Sequence, residues 1–357
     1  MFKPIFYIII FIILSIENGL ASDSVIRFLD SKSEDYAAMS KTIWSLAELG
    51  YQEKETSKLM QSHLEQENFS IDSGVAEIPT AFIASYGSGK PIIAILAEMD
   101  ALPGLSQDAK PERKIIKEGM PGHACGHHLF GAGSIAAAVA VKNWLIETGT
   151  TGTIRLYGTP AEEGGSGKVY MVRAGLFDDV DIVMHWHPSD RNDASPASSL
   201  ANKSAKFRFY GIAAHAAAAP EKGRSALDAV ESMNFMVNLM REHLPEPARI
   251  HYIITEGGAA PNIVPEYAEV YYYARHPDVD ELEKIWARII KVAEAAAVGT
   301  ETTLEYEVMH ANRPLLTNLP LAKLIFEKLS QVGGVYYNDE ELSLIHISEP
   351  TRRTPIS

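Results

Sequence analysis

The 357-residue chain is longer than one small domain needs and carries a formal net charge of -14, with 46% hydrophobic residues. That length suits two domains with a sizeable apolar core, and the acidic balance argues against nucleic acid or an anionic membrane as a partner, since both require a basic footprint. A single cysteine, Cys125, excludes an internal disulfide.

Lys3 precedes an uncharged run from Pro4 to Ile16, and Gly19-Leu20-Ala21 follows. This pattern predicts a secretory signal peptide over residues 1–21, so the mature chain is expected to be secreted or periplasmic. No later stretch reads as long and apolar enough to cross a bilayer. Tyr36 to Asn68 has helical apolar spacing broken near Gly50. Thr80–Tyr86 and Pro91–Ala97 read as strands around the turn Gly87-Ser88-Gly89, the second apolar throughout, as in a strand covered on both faces. An Ala-rich helix over His128–Glu147 follows, then a strand at Thr153–Thr159, a helix near Val169–Ala174 and a strand at Asp181–His187. Strands alternating with helices predict an α/β fold, with a mixed, mostly parallel sheet flanked by helices.

The pattern changes near Ala201. Strands at Lys206–Tyr210, Arg249–Thr255, Ala268–Arg275 and Thr302–Met309 alternate with helices at Ser225–His243 and Val279–Val298, the second of which Asp278 and Glu281 could cap. The order βαββαβ is the ferredoxin-like arrangement, here an inserted domain over 201–312. It divides the first domain into 22–200 and a return over 313–341, where Pro314–Leu329 reads as a helix. Leu342–Arg352 reads LSLIHISEPTR, which back-translates to a transposase-type sequencing adapter. Residues 342–357 are therefore expected to be an artefact, with the natural chain continuing past Glu341.

In an open α/β sheet, ligands bind beyond the carboxyl ends of the strands. Three predicted strands here run into polar clusters: Glu98-Met99-Asp100, Glu162-Glu163 after Pro160-Ala161, and His185-Trp186-His187. The loop GHACGHH, Gly122 to His128, opens the Ala-rich helix at the same rim. Thiolate, imidazole and carboxylate gathered together form a mixed ligand set suited to a catalytic transition metal. In the adjacent pair Glu162 and Glu163, one carboxylate can coordinate while its neighbour moves a proton. The bland alternative is an exposed acidic loop. The run Gly164 to Lys168, GGSGK, is not a phosphate-binding loop, because Val169 stands where Ser or Thr is needed.

The runs WSLAELGYQEKETSKLM, YGSGKPIIAILAEMDALPGLSQ, GHACGHHLFGAG, YGTPAEEG and DIVMHWHP resemble, in order and spacing, the aminoacylase/carboxypeptidase family of metal-dependent amidohydrolases, most closely its aminobenzoyl-glutamate utilisation B branch. The resemblance spans Tyr36 to Glu341. It implies two divalent metal ions, Mn or Zn, on Cys125, His127, Glu163 and His187, with His185 a rival for the last position. It further implies Glu162 as general base and Asp100 as a group that orients a metal-binding side chain. The inserted domain becomes a lid/dimerisation domain, whose His215, in GIAAHAAAAP, reaches a partner subunit's site to stabilise an oxyanion in a homodimer. Asn262 and Arg275 become substrate-binding residues, although Arg275 also reads as an ordinary surface charge. The implied substrate is a small amide with a free carboxylate: an N-acyl or N-aroyl amino acid, or a dipeptide. A non-catalytic binding protein on the same fold and a Cys125-nucleophile amidase are the alternatives. The family's last His ligand has no counterpart before Glu341, so the 357-residue chain is expected to be a poorly stable, inactive fragment.

Overall fold

A computed structural model describes residues 23–110, 112–189 and 192–334. The predicted signal peptide over 1–21, residues 335–341 and the suspect tail over 342–357 lie outside the described residues. The chain divides into two units: the described residues up to Ala194 with those from Leu324 onward, and Ser195–Lys323.

The first unit is built around the apolar run Ile92–Glu98 (β3), which is buried from Ala94 to its end. Its neighbours are Gly152–Thr159 (β4) and Ile182–Met184 (β5), both parallel to it. Parallel neighbours need long crossovers, supplied by the helices His127–Thr148 (α3) and Gly167–Arg173 (α4). Phe82–Ser88 (β2) pairs antiparallel with β4, and Ser70–Ser73 (β1) antiparallel with β2. The sheet order is therefore β1-β2-β4-β3-β5, a mixed sheet flanked by helices. Strand β1 is not among the elements that hydropathy predicts. Its four residues, SIDS, are polar and mostly exposed at an edge, where no hydropathy signal arises.

On one face, Ser33–Leu46 (α1), Lys54–Gln66 (α2) and α3 pack a core containing Ile43, Met60, Leu64, Phe82, Ile135, Val139 and Leu156. A second cluster joins Leu96 and Tyr157 to Phe130 and Met171. By length and composition α3 could cross a bilayer, contrary to the sequence reading; Ala-rich helices pass that test and also pack closely in cores, and 56% of the apolar window is buried inside the structure.

One register detail positions everything that follows. Ile92 lies opposite Thr153 and Glu98 opposite Thr159, so β3 and β4 end level with each other. β5 is shorter than the predicted Asp181–His187 and leaves the ladder after Met184.

The second unit has Ala201–Tyr210 (β6), Ala226–Met240 (α5), Arg249–Glu256 (β7), Tyr267–His276 (β8), Val279–Thr300 (α6) and Thr303–Asn312 (β9). The strands form an antiparallel sheet in the order β7-β8-β6-β9, which is ferredoxin-like connectivity. Phe207, Phe209, Val230, Met233, Tyr272, Ile285, Trp286 and Ile289 form its core. Ser225 caps α5 by accepting from Asp228 N at 3.1 Å, and Asp278 caps α6 by accepting from Glu281 N at 2.9 Å. β6 begins five residues before the predicted Lys206. Its early polar residues hide the alternation, and a register shift at Ser204/Ala205 breaks the period. The last helix, Leu319–Val332 (α7), starts later than the predicted Pro314, and the division between the two units falls within it.

Candidate metal centre

Asp100, two residues past the end of β3, is buried and ties two distant segments together. The Nδ1 of His127 donates to its carbonyl oxygen at 2.9 Å and lies 3.1 Å from its Oδ1. Its Oδ2 accepts from the backbone N of Glu163 at 2.8 Å. With Nδ1 committed as donor, Nε2 is the atom of His127 that faces the centre, and loss of its proton would give the lone pair a metal ligand needs.

Cys125 and His127 flank Gly126, whose φ of 88° is left-handed and whose Cα faces Pro188 so closely that an added Cβ would meet Pro188 Cβ at 2.9 Å. Only glycine suits both conditions. The turn sets Cys125 Sγ 3.5 Å from His187 Nε2. His187 Nδ1 donates to the carbonyl of Pro188 at 2.9 Å, so Nε2 is the ring atom turned to Cys125. Hydrogen bonding to Cys125 raises the His187 imidazole to about 9 against the opposing effect of burial.

His185 and His187 would share a face if residues 185–187 were strand, but the chain has left the sheet and the two histidines diverge. His185 Nε2 lies 3.3 Å from Glu98 Oε1, where only the imidazole can donate. Lys168 Nζ, from the GGSGK run, donates to the same oxygen. Burial alone would raise Glu98, but His127, His185 and Lys168 outweigh it and hold the carboxyl far below its ordinary range.

Among the described residues, Glu98 Oε2, His127 Nε2 and Glu163 Oε1 are buried side-chain atoms without a hydrogen bond. Glu98 Oε2 and His127 Nε2 are 3.0 Å apart but misaligned for one, and Glu163 Oε1 lies 3.9 Å from the same nitrogen. Three buried polar atoms without a hydrogen bond, converging from β3, α3 and the loop after β4, leave room for a further group to satisfy them. Cys125, His127 and His187 offer ligand atoms all within 4.8 Å of one another, and so do Glu98, His127 and Glu162. Each group offers donors suited to a divalent cation, and both draw on His127, whose one free ring nitrogen can ligate a single cation. Burial alone would lower the His127 imidazole, but Asp100, Cys125 and Glu98 raise it to about 12. Glu162 differs from its neighbour: its side chain is 43% exposed. Partial burial, and then the charges of Glu98 and Glu163, raise its carboxyl above the ordinary range.

In the cluster at the end of β3, sequence reasoning assigns a role to Asp100 alone and misses Glu98. A carboxylate ending an apolar strand at a predicted rim was the available signal. His123 and His128 sit beside the centre: His123 Nε2 lies 3.1 Å from Ile43 O, and His128 packs edge-on against Trp44.

In the second unit, His215 is exposed and bridges to Ile263. Its Nδ1 accepts from the backbone N of Ala217 and of Ala218, both at 3.2 Å, and Ala216 N donates to Asn262 O at 3.0 Å. His215 and Asn262 therefore lie on adjoining loops. Arg275 does not join them. It sits exposed near the far end of β8, eight residues beyond Tyr267 and so roughly 27 Å along the strand, with its guanidinium 5.5 Å from the Tyr273 ring centroid.

The profile of peptidase family M20/M25/M40 matches residues 94–352. The chain is similar to a p-aminobenzoyl-glutamate hydrolase subunit of Escherichia coli (strain K12), at 45% identity over 89% of this chain and 68% of that protein. It is also similar to the Xaa-Arg dipeptidase of Mus musculus, at 31% identity over 87% of this chain and 72% of that protein. Among solved structures, an aminobenzoyl-glutamate utilization protein from Klebsiella pneumoniae matches with a TM-score of 0.64 at 19% identity, covering 91% of each chain. A dinuclear metal-binding peptidase of the M20 family from Bacillus subtilis matches with a TM-score of 0.59 at 21% identity, covering 85% of this chain and 81% of that one. At those identities the structural matches speak to the fold alone.

Proposed function

The chain belongs to peptidase family M20/M25/M40 and is an amide-bond hydrolase; from that premise we propose that it cleaves N-acyl or N-aroyl amino acids of the aminobenzoyl-glutamate kind, using two divalent cations. The observation that carries the metal reading is the buried Nε2 of His127, without a hydrogen bond, facing Glu98 and Glu163 while Asp100 holds the other ring nitrogen. Cys125, His127, Glu163 and His187 would hold the cations, Mn or Zn, with Glu98 as a further donor. When bound, such cations supply Lewis acidity at the scissile carbonyl.

The remaining work falls to the chain's own groups. Glu162 is exposed enough to meet water, and its raised pKa suits a group that takes a proton from water and passes it to the leaving nitrogen. Asp100 keeps the His127 ring and the Glu163 backbone in place. In His215 the acceptor role of Nδ1 leaves the proton of the neutral ring on Nε2, which can then donate to a developing oxyanion. Following the family resemblance, that His215 would act in the site of a partner protomer, with the second unit as lid and dimerisation domain. Asn262 would contact substrate beside it. The E. coli relative is by name one subunit of a hydrolase, which makes a heteromeric assembly the alternative to a homodimer. Export is supported by the apolar run ahead of Ala21.

The test is Glu162→Gln against wild type in the natural full-length protein with p-aminobenzoyl-glutamate, after loading with Mn or Zn and measuring bound metal. The variant should keep its metal and lose about 10²-fold or more in kcat. Equal turnover by the two proteins would remove Glu162 from the mechanism. The 3.5 Å Cys125–His187 pair also suits a thiolate nucleophile, but that reading leaves the orphaned carboxylate oxygens unexplained.

A further inference from the structure

Glu53 is fully buried, yet no cation pairs with it among the described residues, and burial pushes its carboxyl up to about 7. Its position immediately before α2 does not explain it as a helix cap. The first-turn N–H groups of α2 are taken by another carboxylate: Glu48 Oε1 accepts from Glu55 N at 3.1 Å and Oε2 from Thr56 N at 2.8 Å. Glu53 points elsewhere. Its Oε1 accepts from the backbone N of Ala161 at 2.8 Å, and its Oε2 accepts from Thr80 Oγ1 at 3.0 Å.

Ala161 begins the turn that carries Glu162 and Glu163, and it is held in the left-handed region at φ 56°, which an alanine enters only under constraint. Neighbours of Glu53 brace the same turn. Tyr51 Oη donates to Gly165 O at 2.6 Å. Gly165 lies so close to the Tyr51 ring that an added Cβ would meet it at 2.5 Å. The same segment reaches the neighbouring strand end, because Ala101 N, next to Asp100, donates to Glu48 O at 2.8 Å. Residues 48–53 thus grip the ends of both β3 and β4, from which the candidate ligands project.

We propose that Glu53 is a positioning residue: its Oε1 holds the strained Ala161 amide so that Glu162 and Glu163 face the metal centre. The inference rests on the roles given above to those two residues. What matters here is the reach of the acceptor and not its charge. Glu53→Gln keeps a carbonyl oxygen at the same reach, whereas Glu53→Asp keeps the charge and withdraws it by one methylene. The experiment compares these two and Glu53→Ala with wild type and Glu162→Gln, in the metal-loaded natural full-length protein, measuring melting temperature, kcat, KM for p-aminobenzoyl-glutamate and metal retention against a chelator.

Expected for Glu53→Asp and Glu53→Ala is a loss of about 10- to 100-fold in kcat, with KM within about threefold and weaker metal retention, since a shift of this turn misplaces both carboxylates. Glu53→Gln should stay within a few-fold of wild type. Gln inactive and Asp active would overturn the proposal in favour of a charge effect, and so would wild-type kcat and metal retention in folded Glu53→Asp. If Glu53→Ala fails to fold, the Gln/Asp contrast still decides. If Glu162→Gln proves fully active, the general-base reading falls on its own, and metal retention in Glu53→Asp still reports whether the turn has moved.

Discussion

At the scale of single residues, most of the chemistry here lies in which atom of a side chain is already occupied. His127 and His187 both spend Nδ1 on a carbonyl and offer Nε2, while His185 spends Nε2 on Glu98. The three look alike in sequence, and residue type alone cannot separate them. Glu53 allows a test by pH. Its folded carboxyl sits near 7 against an ordinary 4.5, so the folded state binds the proton more tightly than the unfolded chain. Its contribution to stability is therefore greatest below about pH 4.5, falls as pH rises towards about 7, and is flat beyond. A difference of that size corresponds to up to roughly 3 kcal/mol. Glu53→Gln should remove this slope, leaving the variant more stable than wild type at pH 8 and closer to it at pH 5, as read by urea melts. Parallel pH profiles for the two proteins would show that Glu53 is ionised at an ordinary pKa.

At the scale of elements, the site exists because β3 and β4 end in register and α3 starts on a glycine. The strongly periodic or uniformly apolar elements were legible in the sequence: β3, α3, α5 and α6 all fall within a few residues of expectation. The existence of β1 and the point where β5 ends, which depend on neighbours, were not. β1 has no apolar face of its own, and β5 stops after Met184, where the chain leaves β3. Gly126 is where local conformation and site meet. Gly126→Ala should cost about 1–3 kcal/mol through its left-handed backbone, and its Cβ would press on Pro188. Because Cys125 and His127 flank that position, metal retention should fall together with the melting temperature. A variant that melts earlier but holds metal as wild type does would separate the turn from the centre.

At the scale of the molecule, cations bound at the rim of the first unit should stabilise that unit. With free metal at about 100 times Kd the gain is about 2.7 kcal/mol. Hydrogen exchange with and without Mn or Zn should show protection at residues 98–101, 125–130 and 159–165, and much less across β7, β8 and α5. Equal protection in both units, or none in either, would speak against a centre built from these residues. The α/β class, the ferredoxin-like order of the second unit, the family resemblance and the residue types at the strand ends could all be read from the chain unfolded on paper. Each of these is carried by local periodicity or by contiguous motifs. Folding was needed to establish that Glu98 joins the centre, that His185 serves Glu98, that Arg275 stands apart from Asn262, and that Glu53 supports the turn bearing Glu162. Those four facts depend on distances between segments up to about a hundred residues apart in the chain, which are set by strand register and core packing.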